Sequence, residues 1–231
     1  MKKHPVWLFD LDNTLHDARP IFRAISAAMT DYIGRHLSLD REAANALRAA
    51  YWQRYGATLP GLTRNHNISA VHFLRETHAL PGLEARVRGH KADLVLLARL
   101  PGRKLLLTNA PLAYARRVLE TLGIEHVFED IIAFEHMRMF GQDRSKPDAR
   151  MLRHVLARRE LRACDCVLVE DTLIHQKSAR ALGLRTVWMQ RWLLERSEKR
   201  HGPEASHALR RRPAYVSLRI RSLKELLRAG L

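Results

Sequence analysis

V-W-L-F-D-L-D-N-T-L, residues 6–15, decides the reading of this chain: four apolar residues in a row deliver two carboxylates, Asp10 and Asp12. A short continuous apolar run suits a parallel strand buried on both faces. Residues two apart in a strand face the same side, so the two acids are expected to converge where the strand gives way to a loop. Carboxylates that close repel one another unless a cation or a shared proton intervenes. Hard oxygen ligands point to Mg²⁺, which takes one or two carboxylates together with waters and phosphate oxygens. A calcium loop starting at Asp10 fails, because its sixth position is Leu15 where glycine is needed and its twelfth is Ile21 where a bidentate Glu belongs. The plainer alternative is that the acids cap a helix or fill a turn.

Working outward, similar apolar runs recur at residues 104–108, 131–134, 166–170, 185–189 and 214–218. Amphipathic segments alternate with them: Pro111 to Leu122 stopped by Gly123, Pro147 to Arg159, and Ile174 to Leu182 stopped by Gly183. Proline in a first turn and glycine just past a last one are helix punctuation. Alternating strands and helices predict a doubly wound α/β fold around a parallel sheet with right-handed crossovers. Residues 17–100 break the rhythm with successive helices, separated by G-A-T-L-P-G-L (56–62) and A-L-P-G-L (79–83). The expected organisation is therefore a core of residues 1–16 and 101–231 with a small helical module, 17–100, inserted after the first strand. Such an insert would lie over the C-terminal end of that strand, where open α/β sheets bind ligands.

Three later sites change the odds on Asp10 and Asp12. L-L-L-T-N puts Thr108 and Asn109 at a strand end, S-K-P puts Lys146 just before a helix, and V-L-V-E-D puts Glu170 and Asp171 at another strand end. A parallel sheet brings such positions to one edge. The set suits phosphoryl transfer. One Asp carboxylate can attack phosphorus, and a second can protonate the leaving oxygen and later deprotonate water. Lys146 and Mg²⁺ would neutralise the equatorial oxygens, and Thr108 would hold them by hydrogen bonds.

Composition narrows the setting. At 231 residues the chain suits one large domain or one with an inserted module, and no apolar run nears the roughly 18 residues of a membrane helix. No signal peptide is evident, which predicts a cytoplasmic protein with no membrane partner. Cys164 and Cys166 are too close to bridge comfortably and read as two buried thiols at a strand start. The formal charge is +16 and the pI near 10.8. Residues 191–231 carry 11 Lys and Arg against 4 Glu, a net of +7, and His201 to Pro213 reads as an exposed loop. Positive charge attracts nucleic acid, acidic surfaces or anionic metabolites without choosing among them.

The ordered motifs F-D-L-D-N-T-L, L-L-L-T-N, S-K-P and V-E-D-T resemble those of the haloacid dehalogenase-like hydrolase superfamily over essentially the whole chain. The resemblance implies a Rossmann-like core with a small helical cap. It makes Asp10 the nucleophile and a magnesium ligand, and Asp12 the general acid/base that also binds the ion through its backbone carbonyl. Thr108 and Lys146 fall on phosphoryl-binding positions and Asp171 on a further magnesium ligand, with Glu170 supporting. Retention of Asp12 favours a phosphatase or mutase, since true dehalogenases lack the second Asp. The segment Y-G-A-T-L-P-G-L-T-R-N-H, residues 55–66, is similar to one in the pyrimidine 5′-nucleotidase group. That implies a nucleoside 5′-monophosphate such as UMP or CMP as substrate, with Tyr55, Thr58, Arg64, His66 and Asn109 as binding residues, in a monomer or homodimer. Where the family places Asn or Asp four residues past the metal acid, this chain has His175. Neutral imidazole could hydrogen-bond a metal-bound water, whereas a protonated ring would oppose the ion. Alternatives are the same chemistry on phosphoglycolate or a sugar phosphate, and a catalytically weak nucleic-acid-binding protein on this fold.

Overall fold

A computed structural model of the chain describes residues 4–193 and 211–229. Two compact units emerge, one from residues 1–18 and 87–231, the other from residues 19–86. The first holds a six-stranded parallel sheet whose strands are β1 (Val6–Phe9), β2 (Lys104–Leu107), β3 (Asp130–Ile132), β6 (Cys166–Glu170), β7 (Arg185–Met189) and β8 (Leu218–Ile220). Between β3 and β6 in sequence lies a separate two-stranded hairpin, β4 (Arg138–Met139) and β5 (Gln142–Asp143). The sheet order is β3-β2-β1-β6-β7-β8, so chain direction across the sheet reverses between β1 and β6. In doubly wound sheets ligands bind at that switch point, outside the carboxyl ends of the strands.

Both faces of the sheet are apolar, which explains the unbroken hydrophobic runs. On one face Leu8, Leu105, Leu107 and Leu168 join a core with Met151, Leu152, Val155 and Leu156 of helix α7 (Ala149–Arg158) and Ala179 of α8 (Leu173–Ala181). Trp7 and Phe9 alternate with these residues; their rings stack at 6.1 Å, and Phe128 meets Phe9 edge-on at 6.2 Å. Each such side chain contributes about 1.5–3 kcal/mol on burial. Gly123 ends α6 (Leu112–Leu122) as read, in the left-handed region at φ +69°, whereas Pro111 stands just before the helix rather than in its first turn.

Four further details differ from the sequence reading. Helix α7 begins at Ala149, capped by the Asp148 carboxylate, which accepts from the Arg150 and Met151 amides; Pro147 stands outside it, because a side-chain oxygen is the better cap. Strand β8 is Leu218–Ile220, later than residues 214–218, since the Thr186 hydroxyl holds the Tyr215 carbonyl at 2.6 Å and the ladder to β7 starts only at Leu218. Cys166 is buried, and burial pushes its thiol up to about 11, but Cys164 is exposed, sitting in the short turn that precedes β6. Of the basic loop 201–213, residues 201–210 lie outside the described residues.

The fourth difference falls in the helical unit, which comprises α1 (Arg19–Leu37), α2 (Arg41–Tyr55), α3 (Thr58–His66) and α4 (Ala70–His78). The stretch read as a separator, residues 56–62, runs into α3. Pro60 is tolerated in the first turn, and Gly61 is a packing requirement: a Cβ there would stand 2.3 Å from the Tyr51 ring of α2. Tyr32 ties α1 to α4, its hydroxyl 2.8 Å from His72 Nδ1 and its ring stacked on His36 at 3.8 Å. The inserted helices end at Arg86. Helix α5 (Lys91–Arg99) belongs to the α/β unit, where buried Asp93 accepts hydrogen bonds from Arg191 at 2.9 Å and from the Ser222 hydroxyl.

Candidate active site

Register places the acids. Phe9 pairs with Leu106 of β2 and Val169 of β6, so Asp10, Thr108 and Glu170 all emerge at the carboxyl edge of three adjacent strands. The Asp10 amide donates to the Val169 carbonyl at 3.0 Å, fixing the exit of β1 beside that of β6. Beyond it the chain turns tightly, with the Thr14 and Leu15 amides donating to the Leu11 carbonyl and Asn13 at φ +59°. Asparagine tolerates this left-handed conformation. Its side chain also accepts from the Ala18 amide at 3.2 Å.

The centre is a cluster of three acids, of which Asp10 and Glu170 are buried and Asp171 half-buried, around one buried lysine. Lys146 Nζ donates to Asp10 Oδ1 at 2.6 Å and to Glu170 Oε2 at 2.8 Å. Carboxylate oxygens of Asp10, Glu170 and Asp171 lie within 4.8 Å of one another. Burial opposes the charge on Lys146, but the flanking carboxylates outweigh it and raise its affinity for the proton above the usual lysine value. Burial likewise opposes ionisation of Glu170; the Lys146 ammonium outweighs it and holds this carboxyl well below its usual range. Asp10 is pushed up to about 6 by burial and the Glu170 charge, against the pull of Lys146. Asp171 is pushed up to about 9 by burial and by the charges of Glu170 and Asp10. Three hard oxygen donors with more negative charge than one lysine can neutralise fit a divalent cation such as Mg²⁺.

Further contacts hold the cluster in place. The Thr14 hydroxyl donates to Asp10 Oδ2 at 3.1 Å. Gln176 donates to the Glu170 carbonyl at 2.8 Å, and the Trp188 indole to the Asp171 carbonyl at 2.9 Å. The Thr172 hydroxyl donates to Asp171 Oδ1 at 2.8 Å. His175 brings Nδ1 to 3.1 Å from Glu170 Oε2, close in distance but off the hydrogen-bond line. Asn109 commits its side-chain amide to the loop carrying Lys146: Nδ2 donates to the Lys146 carbonyl at 3.0 Å, and Oδ1 accepts from the Lys146 amide at 2.9 Å. Thr108, 1% exposed, accepts at its hydroxyl from the Ala110 amide at 3.1 Å.

Asp12 goes another way. Its carboxylate is not one of the three clustered acids; Oδ1 is met by the Tyr114 hydroxyl at 2.7 Å and by His16 Nε2 at 2.9 Å. The Asp12 carboxylate thus has partners of its own, while its charge still acts on Asp10. Thr14, His16, Tyr114 and Gln176 were not singled out from sequence. Thr14 and His16 carry a signal, each standing four residues past the acid it contacts, whereas Tyr114 is 102 residues from Asp12 and leaves none.

The four helical-unit candidates all lie in α2 and α3. Tyr55 carries the guanidinium groups of Arg54 and Arg64 over its ring, at 5.3 and 5.4 Å. His66 Nε2 is 2.7 Å from the Tyr51 hydroxyl, and Thr58 is buried in the first turn of α3.

A parallel sheet that gathers strand-end carboxylates around a buried lysine at its carboxyl edge defines a class of α/β enzymes working from an aspartate. The chain belongs to the haloacid dehalogenase-like hydrolase family, whose pattern it matches over residues 6–183. It is 25% identical over 193 residues to Phosphate metabolism protein 8 of Saccharomyces cerevisiae, taking in 78% of this chain and spanning 59% of that protein. Its fold is similar to that of a HAD phosphatase from Thermococcus onnurineus, with a TM-score of 0.63 at 18% identity over 98% of this chain and 97% of that one. It is also similar to that of an L-2-haloacid dehalogenase from Xanthobacter autotrophicus, with a TM-score of 0.57 at 14% identity over 99% and 100%. At such identities the likeness establishes a common fold.

Proposed function

We propose that the protein is a Mg²⁺-dependent phosphatase of small phosphate monoesters, working through an aspartyl-phosphate on Asp10. The observation that carries this reading is the pairing of Asp10, buried against Lys146, with a second, separately held carboxylate two residues on, Asp12. Asp10, Glu170 and Asp171 would hold the ion, which supplies positive charge to the phosphoryl oxygens. An Asp10 oxygen attacks phosphorus, the ester P–O bond breaks, and the leaving oxygen takes the proton of Asp12. Asp12, now a carboxylate, takes a proton from water; the hydroxide attacks the phosphorus, inorganic phosphate leaves, and Asp10 is restored. Lys146 neutralises the Asp10–Glu170 pair, and Thr108 would donate its hydroxyl hydrogen to a phosphoryl oxygen.

The substrate reading is a nucleoside 5′-monophosphate, with UMP and CMP preferred. It is supported by the similarity of residues 55–66 to the pyrimidine nucleotidases and by the cation-flanked Tyr55 ring, which offers an aromatic face and positive charge to a flat, anionic molecule. Thr58, Arg64 and His66 are the further binding residues of this reading, whereas Asn109, its side-chain amide committed to the Lys146 backbone, holds the lysine loop instead. The test is phosphate release from a panel of nucleoside monophosphates, sugar phosphates and phosphoglycolate, with Mg²⁺ and with EDTA. Mg²⁺-dependent turnover that favours UMP and CMP, and is abolished in Asp10→Asn with the melting temperature kept, is the expected outcome. Full activity in Asp10→Asn overturns the covalent mechanism, and preference for phosphoglycolate or a sugar phosphate overturns the substrate assignment.

A further inference from the structure

The sequence motif accounts for Asp12 but not for what surrounds it. Tyr114 is 2% exposed and His16 0%, and both direct their polar atoms to one oxygen, Oδ1 of a carboxylate whose side chain is 18% exposed. Oδ2 has no hydrogen-bond partner among the described residues. His16 is itself anchored, with bridge pairing of its backbone to Asp12 on one side and Gly89 on the other. Tyr114 comes from the first turn of α6, the helix that follows the Thr108–Asn109 loop.

Hydrogen-bond chemistry sets the donor directions. The Tyr114 hydroxyl is the donor in its bond to Asp12, since a carboxylate oxygen accepts. His16 Nδ1 is buried with no hydrogen-bond partner. A proton placed there would bury an unpaired N–H and turn a bare Nε2 lone pair toward the carboxylate, so the ring carries its proton on Nε2 and donates. Two donors on Oδ1 stabilise negative charge at that oxygen and fix the plane of the carboxyl group.

We propose that Tyr114 and His16 are positioning residues that hold Asp12 by Oδ1 and so confine its transferable proton to Oδ2, the oxygen that neither of them meets. This rests on the reading of Asp12 as the acid/base group. The donated proton then starts from one defined oxygen and moves to the leaving-group oxygen as the P–O bond breaks, while Oδ1 keeps both of its hydrogen bonds.

The test uses kcat/KM, which reports only the steps up to aspartyl-phosphate formation. The full chain is assayed on the best alcohol ester from the panel above and on p-nitrophenyl phosphate, whose phenolate leaves with little help from an acid. Tyr114→Phe and His16→Leu are each expected to lower kcat/KM for the alcohol ester about tenfold or more, and for p-nitrophenyl phosphate by less than about threefold. His16→Gln, which returns an N–H to the same reach, is expected to recover most of the loss. Thermal melts and Mg²⁺ affinity, measured in parallel, are expected to stay near wild type. Equal losses on both esters, or no loss on either, overturn the positioning role while leaving the phosphatase reading intact. A wild-type protein that releases phosphate from no ester overturns both.

Discussion

Binding Mg²⁺ to the acidic cluster should expel about one proton. Near neutrality Asp171, pushed up to about 9, is almost fully protonated, whereas Asp10, at about 6, is largely ionised and Glu170 is held below its usual range by Lys146. The metal-free cluster then carries two carboxylates, one neutral carboxyl and one ammonium. A divalent ion that recruits Asp171 must displace its proton. Isothermal titration at about pH 7.5 in buffers of different ionisation enthalpy reads this directly, since the magnitude of the slope of observed heat against that enthalpy equals the number of protons released. The expected slope is about one for wild type and near zero for Asp171→Asn, and Mg²⁺ affinity should rise about tenfold per pH unit between about 6 and 9. The stability of the metal-free protein moves the other way. Two carboxyls with raised folded values bind more protons folded than unfolded, so stability falls as pH rises from about 4 through 6 to 9, and saturating Mg²⁺ should flatten that fall. Glu170 and Asp148, both lowered, act only beneath this window. Tight Mg²⁺ binding with a slope of zero in wild type would refute the reasoning.

Three further outcomes are expected. Lys146→Met leaves two buried carboxylates uncompensated and should destabilise the metal-free protein by about 3–5 kcal/mol in chemical denaturation, with partial recovery in Mg²⁺. Gly61→Ala, which in an exposed helix would gain about 1 kcal/mol, should instead cost about 1–3 kcal/mol, because its methyl group meets the Tyr51 ring. At Asp148 burial works against ionisation, but hydrogen bonds from Arg150 and Arg144 outweigh it and lower the carboxyl, so Asp148→Ala should cost about 1 kcal/mol at neutral pH. That stability is present above the ordinary carboxyl range and lost as pH falls through the folded value, so the penalty should shrink below about pH 4.

Strands buried on both faces were plain in the sequence because nothing polar interrupts them: β1, β6 and β7 begin and end where the apolar runs do. The strand-end positions of Asp10, Thr108, Glu170 and Asp171 followed from those boundaries. What escaped was decided by tertiary contact. Pro60 and Gly61 look like a turn, and only the Tyr51 ring against Gly61 explains a glycine inside α3. Helix α5 has the same amphipathic pattern as its predecessors, and its attachment to Arg191 and Ser222 is not local information. Asn109 stands where a ligand donor is expected, yet both ends of its amide face the Lys146 backbone, a pairing across 37 positions that no short-range pattern encodes.

The turn from Asp10 to His16 has a consequence for transplantation. Within these seven residues each acid is tethered by a side chain four places ahead, Asp10 by Thr14 and Asp12 by His16, so the segment brings half of its own wiring wherever it is grafted. The other half, Tyr114, travels with a different helix. A chimera that inherits residues 6–16 without that helix would inherit an acid anchored on one side only, so a graft of this loop should bring the α6 helix with it. A one-residue insertion between Asp12 and Thr14 would put both tethers out of register at once, making loop length there far less tolerant than loop composition.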